Sequence, residues 1–148
     1  MNFENIVVPL DGSEHSEYSI PQALDLAKKY GAKITFFRVI VLPPLVWNVH
    51  EIPDIDGLQR LEASACQDYL AKLASQHSAE AISIETKQMV GNPAEAIIDF
   101  AGGLNNSLIV MTSHGRDGFK RWLLGSVAEK VARHASGAVM LVRVPAER

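Results

Sequence analysis

Short apolar, β-branched runs alternate along the chain with segments of helical spacing. Runs of strand length stand at Ile6 to Leu10, Ile34 to Val41, Ile82 to Val90, Leu108 to Met111 and Val139 to Val144. Between them, apolar residues recur at helical intervals. Ile20, Leu24 and Ala27 mark one helix, with Leu26 near the same face, and Leu61, Ala65, Tyr69 and Leu73 mark a second. Ala94, Ile97 and Ile98 mark a third, and Val127, Val131 and Ala135 a fourth. The predicted order is β-α-β-α-β-α-β-α-β. The first, second, fourth and fifth runs are dense in Val, Ile, Leu and Phe and lack clean polar alternation, the mark of strands buried on both faces. The expected fold class is α/β, one domain over residues 1–148 with a parallel sheet between two layers of helices.

The punctuation agrees with this order. Gly31 stands at the end of the first helix, where a left-handed cap is wanted. Asn92-Pro93-Ala94-Glu95 offers an N-cap, a proline at the first helical position and a glutamate three residues on. Ser126-Val127-Ala128-Glu129 reads as a second capping box. The segment Leu42 to Gly57 has no steady period and contains Pro43, Pro44 and Pro53, so a long irregular connection is expected. Its Leu45, Val46, Trp47 and Val49 suit a flap over a pocket, a partner surface or plain packing on the domain itself.

Composition bounds the function. Of 148 residues, 47% are apolar and 21% charged, which is globular rather than disordered composition. No apolar run approaches the roughly 20 residues of a membrane helix, and the opening MNFENIVVPLDGS does not read as a secretion signal. The single cysteine, Cys66, excludes an internal disulfide and suits a reducing compartment. A net charge of −3 argues against a general nucleic-acid binder. Locally the sign reverses. His114 to His134 holds Arg116, Lys120, Arg121, Lys130 and Arg133 against Asp117 and Glu129. That surplus suits either a bound phosphate or a solvated face.

Ligands of open parallel sheets bind beyond the carboxyl ends of the strands, so the residues just after each strand matter most. After the first run, Pro9 marks the strand's end or an irregularity. Asp11 follows at the mouth, as an acceptor for a ribose hydroxyl or base amine, or as ordinary Asp-Gly-Ser turn and helix-start chemistry. After the fourth run comes Met111-Thr112-Ser113-His114-Gly115-Arg116-Asp117-Gly118, and further on Gly125-Ser126. Gly115 and Gly118 allow a tight turn of converging N–H groups, and Gly125 allows close backbone approach where a helix begins. Ser126 suits a cap, a phosphate contact, or both.

Other signatures are absent. There is no G-x-x-x-x-G-K-[ST], no G-x-G-x-x-G after the first strand and no G-x-S-x-G. His15, His50, His77, His114 and His134 show no metal-ligand spacing with one another or with Cys66, which is expected to be structural. No catalytic base, nucleophile or Mg²⁺ cluster stands out.

Three stretches together resemble the universal stress protein family, ATP-binding branch. They are Ile6-Val7-Val8-Pro9-Leu10-Asp11-Gly12-Ser13, Gly91-Asn92-Pro93-Ala94-Glu95-Ala96-Ile97, and Ser113-His114-Gly115 through Gly125-Ser126-Val127-Ala128-Glu129, with nine residues between Gly115 and Gly125. The resemblance implies an open five-stranded parallel sheet in the order 3-2-1-4-5 and an ATP site between strands 1 and 4, with or without Mg²⁺. The expected function is a cytoplasmic, homodimeric regulatory protein of the stress response, and the lack of a visible base, nucleophile or Mg²⁺ cluster leads to an expectation of slow ATP hydrolysis at most. A dimeric interaction module without nucleotide and a slow ATPase are the alternatives. Carried over, Pro9, Asp11 and Val39 would flank adenine and ribose. Met111, Thr112, Ser113, His114, Gly115 and Arg116 would line the nucleotide, and Gly125, Ser126 and Val127 would hold phosphates. Thr112 stands where the family pattern has glycine. In that strand order Val139 to Val144 is an apolar edge, for which the simplest cover is the same strand of a second copy.

Overall fold

The computed structural model describes residues 2–41, 55–114 and 124–145. Among these residues ten elements follow in order: β1 (Asn5–Pro9), α1 (Glu14–Glu17), α2 (Ile20–Tyr30), β2 (Lys33–Ile40), α3 (Ile55–Gln76), β3 (Ile84–Val90), α4 (Pro93–Gly102), β4 (Ser107–Thr112), α5 (Ser126–His134) and β5 (Ala138–Val142). The five strands form one parallel sheet in the order β3-β2-β1-β4-β5, as expected.

Alternation along the strands splits the apolar residues into two layers. Ile6, Val8, Ile34, Phe36, Leu108 and Val110 face α2 and α3, while Val7, Phe37, Ile109 and Met111 face α4 and α5. Phe37 stacks on Phe100 of α4 with ring centroids 4.7 Å apart. Strands β1, β2 and β4 are buried through most of their length. The fifth strand departs from expectation: its residues are half-buried and Met140 is exposed. It lies at an edge, with β4 on one side only. It also ends at Val142, where β4 runs out at the Thr112–Val142 pair, so Arg143 and Val144 lie beyond the strand. The other edge, β3, is solvated and carries exposed Glu85, Thr86 and Lys87, with Glu85 paired to Lys33 at 3.2 Å.

The helical caps follow the punctuation. Gly31 ends α2 at φ 65°, ψ 31°, a left-handed conformation that glycine adopts without a Cβ penalty. Asn92 caps α4 and its side chain accepts from the Glu95 N–H at 3.1 Å. Two expectations for α3 are corrected. The helix begins at Ile55, so the irregular segment is shorter than predicted at that end, and residues 42–54 with the Leu45 to Val49 stretch lie outside the described residues. Its buried stripe is Cys66, Leu70 and Leu73, with Tyr69 beside it, whereas Leu61 is 70% exposed. Markers four residues apart drift by about 40° per step around a helix, so a stripe that holds Leu73 loses Leu61. Cys66 is buried in this stripe as a structural residue, and burial pushes its thiol pKa up.

Replacing the Asn92 cap with alanine leaves the Glu95 N–H without its acceptor. Asn92→Ala should therefore lose about 1 kcal/mol of stability and about 3 °C of Tm by circular dichroism.

Candidate functional site

A cleft of about 440 Å³ opens at the carboxyl ends of β1, β2 and β4. Its volume falls in the roughly 300–1,000 Å³ range of small-molecule sites. Its position follows from topology. The connection after β1 runs through α1 and α2 to β2 on one side, whereas β4 continues into α5 on the opposite face. The chain thus diverges on the two sides of the β1–β4 pair and leaves a crevice between.

At the β1 side, Pro9 is the last strand residue and has no N–H; the next ladder bond is Leu10 N–H to the Phe37 carbonyl at 2.8 Å. Asp11 then begins a web of local hydrogen bonds. Its Oδ1 accepts from the Ser13 N–H at 2.9 Å and from the Ser13 hydroxyl. Ser13 Oγ in turn accepts from the Ser16 N–H at 3.2 Å and caps α1. Asp11 N–H donates to Ser16 Oγ at 3.3 Å. The turn chemistry foreseen for Asp-Gly-Ser is thus present, and Asp11 also lines the cleft. Val39 reaches the same cleft from β2.

At the β4 side, Met111 and Thr112 are buried strand residues and His114 follows half-buried. The Thr112 hydroxyl donates to the His114 carbonyl at 2.8 Å. His114 Nδ1 lies 3.1 Å from Ser113 Oγ, and its Nε2 is buried with no partner among the described residues. Ser113 is buried and structural: its N–H donates to the Val142 carbonyl at 2.9 Å, and its carbonyl accepts from the Gly125 N–H at 2.7 Å. That second bond pins the start of α5 to the end of β4.

The capping-box reading of Ser126 is corrected. Gly125 is the N-cap, extended at φ −62°, ψ 155°, and its carbonyl accepts the first helical bond from Glu129 N–H at 2.9 Å. Ser126 is the first helical residue, with no capping bond from its side chain. No described residue accepts from the N–H groups of Ser126, Val127 or Ala128. These donors belong to the first turn of α5, carry its partial positive charge and line the cleft.

Of the residues singled out from the sequence, Pro9, Asp11, Val39, Met111, Thr112, His114, Gly125, Ser126 and Val127 line this one cleft. Ser113 lies behind it, and Gly115 and Arg116 fall outside the described residues, as does Asp117. Residues 2–143 match the model of the universal stress protein family. The chain belongs to this family. A universal stress protein of Methanocaldococcus jannaschii is 32% identical over 143 residues, covering 97% of this chain and 84% of that one. A universal stress protein solved in complex with cAMP superimposes with a TM-score of 0.71 at 23% identity, covering 97% of this chain and 98% of that one. One from Archaeoglobus fulgidus in complex with dAMP does so with a TM-score of 0.60 at 24% identity, covering 95% and 98%.

Against the universal stress protein pattern, the notable departure is Thr112. Alternation in β4 sets it on the same face as Leu108 and Val110, and it is only 5% exposed, with its hydroxyl satisfied locally. Much of the added bulk is therefore taken up inside the protein. Sequence reasoning missed two charged residues of the cleft, Arg38 and Glu62. Arg38 interrupts the apolar run Ile34-Thr35-Phe36-Phe37-Arg38-Val39-Ile40, and a lone cation near a strand's carboxyl end was the available signal. Glu62 sits on a helix whose face was misread and left no such signal. Among the described residues, no group of three or more His, Cys, Asp or Glu could hold a metal ion, and no helix is long and apolar enough to cross a membrane.

Because Gly125 and not Ser126 caps α5, Ser126→Ala should leave stability within about 0.5 kcal/mol of wild type. Urea unfolding measures this; a loss near the ~1 kcal/mol of a true cap would restore the capping-box reading.

Proposed function

We propose that this protein binds ATP in the β1–β4 cleft and acts as a homodimeric, cytoplasmic regulatory protein of the stress response, with slow hydrolysis at most. One observation carries the reading: Ser126, Val127 and Ala128, whose N–H groups have no acceptor among the described residues, line the same cleft as Asp11 and Val39. An anionic phosphate chain at a helix start and a base and ribose at the far wall match that division. In this reading Pro9, Asp11 and Val39 flank adenine and ribose, and Met111, Thr112 and His114 line the middle. Ser126 and Val127 donate to phosphate. Gly125, whose N–H is taken by Ser113, contributes the absence of a side chain rather than a donor. The adenine nucleotides bound in the two similar structures support the ligand class. Mg²⁺, where present, would arrive with the phosphates, and we assign it no protein ligand.

Titration calorimetry with ATP tests this. Wild type should bind and Gly125→Val should bind at least roughly tenfold more weakly, because an isopropyl group would stand on the cleft wall where the backbone must be approached. No heat at millimolar ATP, with no displacement of a fluorescent analogue, would overturn the reading.

The dimer is proposed through Val139 to Val144, of which Val139 to Val142 form the β5 edge. Pairing of two β5 edges, antiparallel about a two-fold axis, satisfies both rows of backbone groups at once. Light scattering coupled to size exclusion should give twice the chain mass at tens of micromolar. Leu141→Pro removes an edge N–H and should shift the mass toward monomer while circular dichroism still reports the fold.

A further inference from the structure

Arg38 is the cation of the cleft wall to which the nucleotide reading gives no role. It pairs in register with Gln88 of β3, and alternation sets it on the α3 side of the sheet, opposite Phe37 and Val39. Its guanidinium lies over the Tyr69 ring of α3, 5.1 Å from the centroid. The same plane also meets the turn after β1. A Cβ at Gly12 would come 3.0 Å from Nη2, 3.2 Å from Cζ and 3.3 Å from Nη1. Three atoms of one plane at nearly equal distance from that point mean that the guanidinium occupies the space a Gly12 side chain would fill, with its face toward it. Gly12 itself has φ 87°, a conformation in which a side chain is strained, and a Cβ there would also have to displace the guanidinium by a few tenths of an ångström.

Among the described residues Arg38 makes no ion pair or hydrogen bond. Carboxylates are nevertheless close. Asp11 adjoins Gly12 in the chain, Glu17 accepts from the Tyr69 hydroxyl at 3.1 Å, and Glu62 lines the same cleft as Arg38. One cation among three acids does not draw a second anionic group of a ligand. It offsets the acids and lends a flat, rigid surface. Arginine suits this task and lysine does not, because only the planar guanidinium can lie against both an aromatic ring and a backbone.

We infer that Arg38 is a positioning residue for Asp11: steadied by Tyr69, its guanidinium supports the Gly12 backbone and so holds the Asp11–Ser13 turn at the mouth of the cleft. Its consequence for ligand affinity rests on the nucleotide reading; its consequence for the turn does not.

Two measurements separate these. The first is amide hydrogen exchange without nucleotide. The Ser13 N–H donates to Asp11 Oδ1, so Arg38→Met should speed its exchange by at least about threefold while the amides of Ile6 to Val8 keep wild-type rates. Arg38→Lys, which restores charge but not the plane, should fall between, and it serves alone if Arg38→Met does not fold. Unchanged Ser13 exchange overturns the inference. The second is a double-mutant cycle read by calorimetric ATP affinity. Arg38→Met should weaken binding roughly tenfold in the wild-type background but less than about twofold in the Asp11→Ala background. Equal losses in both backgrounds would mean that Arg38 acts by its own contact with ligand and would overturn the positioning role. If wild type binds no ATP, the nucleotide reading fails, and the Ser13 exchange rate decides the inference.

Discussion

Parallel pairing is the constraint on which the rest of the structure depends. Every strand of the sheet runs the same way, so every strand ends on the same edge, and each return path must cross a face of the sheet. Such crossings need helices on both faces, and helices on both faces require strands that are apolar on both. The central strands β1, β2 and β4 meet that demand with almost no polar interruption. The same geometry gathers the residues after β1, β2 and β4 at one rim without any of them being near in sequence. The cleft is therefore a by-product of strand direction, and its chemistry is free to vary with the few residues that follow each strand.

Those few residues divide the rim into two chemically different walls. On the β1 side, the Asp11 carboxylate and the hydroxyls of Ser13 and Ser16 hold a short turn through side-chain bonds, with the Arg38 guanidinium of β2 lying over the Tyr69 ring nearby. On the β4 side, backbone groups do the holding: Ser113 bonds both β5 and the start of α5, and among the described residues nothing accepts from the first N–H groups of the helix. A wall built of side chains can discriminate shape and hydrogen-bond pattern. One built of backbone donors offers charge complementarity with little side-chain entropy to lose.

The sheet, its order of elements and most of the cleft were legible in the amino-acid sequence because doubly buried strands and glycine or asparagine caps leave strong local marks. Gly31 and Asn92 stand where their caps are. What failed did so for identifiable reasons. Helix α1 is four residues long, too short for any period to show. The α3 face was misplaced because strict four-residue spacing rotates away from a helical stripe, which centres instead on Cys66 and Leu70. The α5 cap was misplaced by one residue because Gly125 and Ser126 are both acceptable caps, and only the extended dihedrals of Gly125 decide between them. Arg38 was passed over because the run Ile34 to Val41 was read for its apolar density alone, whereas its guanidinium lies over a ring and occupies the space beside a glycine.

The two edges of the sheet are unequal. β3 presents Glu85 and Lys87 to solvent beside exposed Met89 and Val90, whereas β5, with Met140 exposed and Val139, Leu141 and Val142 half-buried, carries no charge. A sheet with two apolar edges can recruit a further copy at each side and grow into an open-ended ribbon. In the proposed pairing through β5, the charged residues of β3 would disfavour strand addition at the other border, so growth would end after a single step. Two charged side chains on the far strand would in that arrangement favour a closed pair over an open-ended ribbon.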